Sequence, residues 1–116
     1  MKTLVIGLAS RDAIRARARI IARGEHKPAP DEPKIWFTSM RSLAEVLSDD
    51  NRALLRLIHE AKPESVNRLA ELSGRAPSNL SRTLRTMEHY GLVELRRQSR
   101  QVRPVAKASE FLIRAA

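Results

Sequence analysis

The chain has 116 residues, of which 42% are hydrophobic, enough for one compact domain or a small domain with an attached arm. It contains no cysteine, which excludes disulfides, thiolate metal sites and cysteine nucleophiles together. Lys and Arg number 22 against 13 Asp and Glu, a formal charge of +9 that favours encounter with polyanions.

Residues 3 to 8, TLVIGL, predict a short strand with Leu4, Ile6 and Leu8 on one face. The apolar stretch from Leu4 to Ala9 is too short for secretion or membrane spanning and is followed at once by Arg11, Asp12 and Arg15, so a cytoplasmic protein with no membrane association is expected. Ser10 is placed to cap a helix over about 11 to 23, closed by Gly24, with Ile14, Ala18 and Ile21 on its apolar side. Arg11, Arg15, Arg19 and Arg23 recur every fourth residue on another side, either as a solvated face or as contacts to flanking DNA. The proline-rich HKPAPDEP segment, 26 to 33, reads as an extended linker. A second strand over Lys34 to Thr38 puts Ile35 and Phe37 on one face and Trp36 on the other.

From Ser39 the texture becomes helical. A short helix over 40 to 47 offers Leu43, Val46 and Leu47. Asp49 or Asp50 can cap the next helix, near 50 to 61, whose Leu54, Leu55, Leu57 and Ile58 form the largest apolar cluster. Pro63 ends that helix, and Ser65 caps a third running to about Leu72. After the SGRAP turn, Pro77 suits the first position of a fourth helix that runs to about His89 and buries Leu80, Leu84 and Met87, with Gly91 as terminator. LVEL (92 to 95) and QVRPV (101 to 105) read as a hairpin around a polar RRQSR loop, and ASEFLIRAA as a short terminal helix bearing Phe111, Leu112 and Ile113. The fold class expected is α+β: a winged helix-turn-helix over 39–105, a strand-helix-strand extension over 1–38, and a packing segment over 106–116.

Helix, helix, turn, helix, hairpin is the order in which the second helix of the pair enters the DNA major groove. In the fourth helix Ser78, Arg82 and Arg85 lie opposite the Leu80, Leu84, Met87 stripe, with Asn79 and Ser81 on the flanks. Arginine can bond guanine O6 and N7 in bidentate fashion and asparagine can match adenine, while a serine at a helix start can hold phosphate. Residues 75 to 103 contain seven arginines and only two acids, Glu88 and Glu94. Arg96, Arg97 and Arg100 sit where a wing tip reaches phosphate or the minor groove, with Arg103 at its base and Arg75 in the preceding turn. Double-stranded DNA is the partner expected. An ordinary solvated helix face is the alternative for Arg82 and Arg85 taken alone.

SVNRLAELSGRAPSNLSRTLRTMEHYGLVEL, 65 to 95, resembles the helix-turn-helix of the MarR-like winged-helix superfamily, among its small transcriptional regulators with a WFTS-like stretch before the domain, here Trp36 to Ser39. The resemblance covers about 35 to 105. It implies that the helix before GLV is the recognition helix, that the protein is a homodimer, and that it binds partly palindromic operators. Repression is the mode expected, since occupancy alone can block polymerase.

Leu4, Ile6, Leu8, Ile14, Ile21, Ile35, Trp36 and Phe37 are the material for a dimer interface, so Met1 to Thr38 is expected to carry most of that contact. Plain core packing is the alternative for Phe37 and Trp36, as is intramolecular cover by residues 106 to 116. His26, His59 and His89 lack metal-ligand spacing, and no phosphate loop, nucleotide fingerprint or spaced carboxylate pair is present, so neither a metal, another cofactor nor an enzymatic activity is expected. Two further readings stay open: an antitoxin-like module whose residues 1–38 engage a protein partner such as a cognate toxin, and a non-specific architectural DNA binder.

Overall fold

The structure, a computed structural model, describes residues 2–115. Strand β1 (Thr3–Leu8) leads into helix α1 (Arg11–Ala22), capped by Ser10, whose side chain accepts a hydrogen bond from the Ala13 amide. Strand β2 (Ile35–Phe37) follows the proline-rich linker and pairs with β1 in parallel, Ile6 opposite Ile35 and Leu8 opposite Phe37. Parallel neighbours need a crossover, and α1 with the linker supplies it.

Helices α2 (Met40–Val46), α3 (Asp49–Ala61), α4 (Val66–Ser73) and α5 (Pro77–Tyr90) come next. Their starts follow ordinary capping chemistry. Ser39, Ser48 and Ser65 each accept from an amide in the first turn, while α5 begins on Pro77. The cap of α3 is therefore Ser48, with Asp49 and Asp50 inside its first turn, where their charge favours the helix dipole. Lys62, Gly74 and Gly91 close α3, α4 and α5 in the left-handed conformation.

The wing is strands β3 (Val93–Gln98) and β4 (Gln101–Ala106), antiparallel, with Gln98 opposite Gln101. Ser99 takes a left-handed φ of 53°, so Ser99 and Arg100 alone make the turn. The sequence pattern predicts a longer polar loop over 96–100; instead Arg96, Arg97 and Gln98 continue the ladder, because a two-residue turn leaves them opposite partners.

The terminal segment is a strand, β5 (Glu110–Arg114), where the sequence pattern predicts a helix. It runs parallel to β1, with Phe111 opposite Leu4 and Ile113 opposite Ile6, and completes a sheet of order β2-β1-β5. Three consecutive apolar residues suit either state. The open edge of β1 decides for the strand, since pairing satisfies its backbone donors and acceptors. All of α2 to β4 thus lies in the crossover between β2 and β5.

One face of that sheet joins the common core. Leu4, Ile6, Ile35 and Phe37 are buried together with Leu43, Leu55, Ile58, Leu69, Leu80, Leu84, Met87 and Leu92. Phe37 stacks on Tyr90 at the end of α5, ring centroids 4.3 Å apart and planes within 17°. On the other face the half-buried Trp36 is covered by α1, with the Arg17 guanidinium 5.3 Å from its ring centroid. Gly7, opposite Trp36, has no room for a side chain, because a Cβ there would lie 2.5 Å from the indole.

Arg17 in turn pairs with Glu32, which also meets His26 at 3.0 Å. The hydrogen bond from Arg17, and next that from His26, hold the Glu32 carboxyl down from its ordinary 4.5 to about 2. Because the folded-state value is the depressed one, this tie stabilises the fold above about pH 4.5 and is lost as pH falls through about 2. The stability gap between the native chain and Glu32→Gln should therefore narrow across that window in acid titrations followed by Trp36 fluorescence. A gap independent of pH would remove the tie from the account.

Candidate nucleic-acid interface

Helix α5 presents a single outward face because its inward one is taken. Leu80, Leu84 and Met87 are at most 1% exposed, which leaves Ser78, Asn79, Ser81, Arg82 and Arg85 all exposed on solvent. Arg85 donates through Nε to the Ser81 carbonyl one turn back, at 3.3 Å. Arg82 is exposed and makes no ion pair among the described residues.

The wing brings a second group to the same side. A groove of about 270 Å³ is lined by Ser65, Val66 and Asn67 from the start of α4, Pro77 and Ser81 from the start of α5, and Arg100, Gln101 and Val102 from the wing tip. Arg100 and Ser81 therefore border one cleft with two helix N-termini, whose backbone amides favour anions. Arg97 is exposed near the tip, opposite Val102.

The remaining sequence-predicted residues lie elsewhere. Arg96 and Arg103 face each other across the ladder and line a different groove, with His59 and Lys62 at the end of α3. Strand alternation sends them to the face opposite Val102. Arg96 also donates to Glu94 Oε1 at 3.2 Å. Arg75 is half-buried and donates to Asn51 Oδ1 at 3.1 Å, while the Asn51 amide group donates to the Val46 carbonyl at 3.0 Å. Arg75 thus braces the turn against the start of α3.

Asn67 is a groove residue that sequence reasoning misses. Its signal was present: two residues beyond the Ser65 cap, it sits at the start of the helix that precedes the SGRAP turn and α5. The Phe37–Tyr90 stack was not legible, since it depends on how the sheet meets α5.

The eight residues expected at a dimer interface divide differently. Leu4, Ile6, Ile35 and Phe37 are spent in the core of a single chain, and Leu8 is half-buried against it. Ile14, Ile21 and Trp36 line a groove between α1 and the linker. β5 closes the edge of β1 from within the chain, and the helical core covers the inner face of β1 and β2. Met1 lies outside the described residues.

Two helices joined by a tight turn, followed by a two-stranded wing and set within a mixed α/β architecture, make a fold of the winged helix-turn-helix type in general. The chain belongs to the HVO_A0114 family, which matches residues 46–113, more than half of its length. Among solved structures it is similar to an E. coli protein described as a predicted DNA-binding transcriptional regulator, at 17% identity over 85% of each chain and a TM-score of 0.50, a likeness of fold. No curated protein matches the chain. Among the described residues no group of three or more His, Cys, Asp and Glu is placed to hold a metal ion, and no helix is long and apolar enough to cross a membrane.

Proposed function

We propose that the protein is a sequence-specific double-stranded DNA-binding transcriptional regulator, acting as a homodimeric repressor of MarR-like type, with α5 in the major groove and the wing tip on the phosphate backbone. The observation that carries this reading is the shared groove, in which wing-tip Arg100 and α5 Ser81 meet at two helix N-termini beside an exposed Asn79, Arg82, Arg85 face. Charge of one sign on a helix face is common on solvated surfaces. A second basic element converging on the start of the same helix is what a duplex backbone beside a major groove requires.

The test is selection of a preferred duplex from a random pool, followed by competition against unrelated duplexes at matched salt. A regulator prefers particular half-sites, whereas an architectural binder holds all duplexes nearly equally. Within that assay, neutralising Arg97 and Arg100 together should weaken every duplex and lower the slope of log affinity against log salt by roughly one unit for each lost phosphate contact. An unchanged slope would take the wing tip off the backbone. The same change made at Arg96 and Arg103, on the other wing face, should move the slope less.

A further inference from the structure

Strand β2 is a protected edge of the sheet: three residues long and preceded by Pro33. Strand β5 is not. It is five residues long, lies at the opposite edge, and exposes Leu112 by 48% and Ile113 by 42%. An unpaired edge with apolar side chains is a template for another strand. Beside it runs a groove of about 660 Å³, between β5 and the α2–α3 segment, whose apolar lining includes Leu43, Leu47, Phe111 and Ile113.

The order Glu110, Phe111, Leu112, Ile113, Arg114 identifies the occupant. If two copies of β5 meet antiparallel about a two-fold axis at Leu112, each Glu110 stands opposite the Arg114 of the other copy. Each Phe111 then stands opposite an Ile113, and Leu112 meets itself. Opposed residues share a sheet face. Phe111 and Ile113 of the second copy therefore fall on the side of the groove, and the two charge pairs fall on the side where Thr3 donates to Glu110 at 3.2 Å. A closed two-fold dimer requires such self-complementarity.

We propose that the chain dimerises by antiparallel β5–β5 pairing, joining two three-stranded sheets into one of six strands. The proposal deepens the function inferred above, because an inverted repeat needs two recognition helices related by a two-fold axis.

Sedimentation of the full chain at micromolar concentration, beside Glu110→Arg, Arg114→Glu and the double exchange, tests it. Each single reversal sets like charges face to face at both ends of the paired strands and should weaken dimerisation about tenfold, while the double exchange restores it. Rescue by the double exchange cannot come from misfolding of the singles. Leu112→Cys, in a chain that has no cysteine of its own, should form a disulfide-linked dimer with oxidised glutathione, since opposed strand residues lie within bridging range; Ile20→Cys on α1 should not. A monomeric native chain overturns the pairing, as does a dimer indifferent to all three charge variants, or one in which Ile20→Cys cross-links as readily. A monomer that still selects a DNA site leaves the DNA reading standing, and a cross-linked dimer with no duplex affinity leaves only the pairing.

Discussion

Phe37→Ala should cost about 3–5 kcal/mol, the usual loss on truncating a buried phenylalanine that its surroundings cannot collapse to fill. Phe37 is 1% exposed and stacked on Tyr90, so it joins the N-terminal sheet to the end of α5. A small domain is stable by only about 5–15 kcal/mol, so this substitution removes a large share of the total. Urea unfolding followed by helix dichroism and by fluorescence of Trp36, the only tryptophan, reads the effect directly. In the native chain the two signals should change together, because sheet and helices share one core. Phe37→Leu should recover most of the loss by restoring volume without the stacked ring. A cost below about 1 kcal/mol for the alanine would mean that the sheet is docked on the helices by other contacts.

Arg82→Ala should weaken binding to the preferred duplex more than to a random one, by roughly 1–3 kcal/mol if it makes a bidentate base contact. Arg82 is exposed on the outward face of α5 and is not engaged by any acid among the described residues, so its removal leaves the fold alone. Unchanged unfolding with reduced discrimination is the expected pair of results. Equal losses on both duplexes would assign Arg82 to phosphate, and no loss on either would return it to an ordinary solvated face.

These two residues also mark how far the sequence could be read. Arg82 was legible because helical periodicity is local: once Leu80, Leu84 and Met87 are taken as the buried stripe, the opposite face follows from 3.6 residues per turn. Phe37 was legible as a buried aromatic, though whether its cover came from a partner or from the same chain was not. The ring that stacks on it is Tyr90 at the end of α5, more than fifty residues away, and neither propensity nor period carries that information.

The sequence by itself determined the local elements. Serine caps, Pro77 at the start of α5, Gly91 at its end and the spacing of apolar residues all act within a few residues along the chain. They place strands and helices through β4 to within a few residues of where they stand. Tertiary structure decided what depends on distant pairing. EFLIR is apolar enough for a helix, but β1 offers it an open edge, and a ladder between the two ends of the chain makes it a strand. That same ladder closes the edge of β1, while the helical core buries within one chain the apolar faces of β1 and β2 that the sequence leaves unclaimed. The ladder also moves the sheet's exposed apolar edge from the N-terminal segment to β5. The arginines sort by the same logic: seven lie close together in sequence, but strand alternation and the Asn51 bond turn Arg96, Arg103 and Arg75 away from the groove that Arg100 shares with α5. Composition sets how many positive charges there are, and only the packed chain sets which of them face the same way.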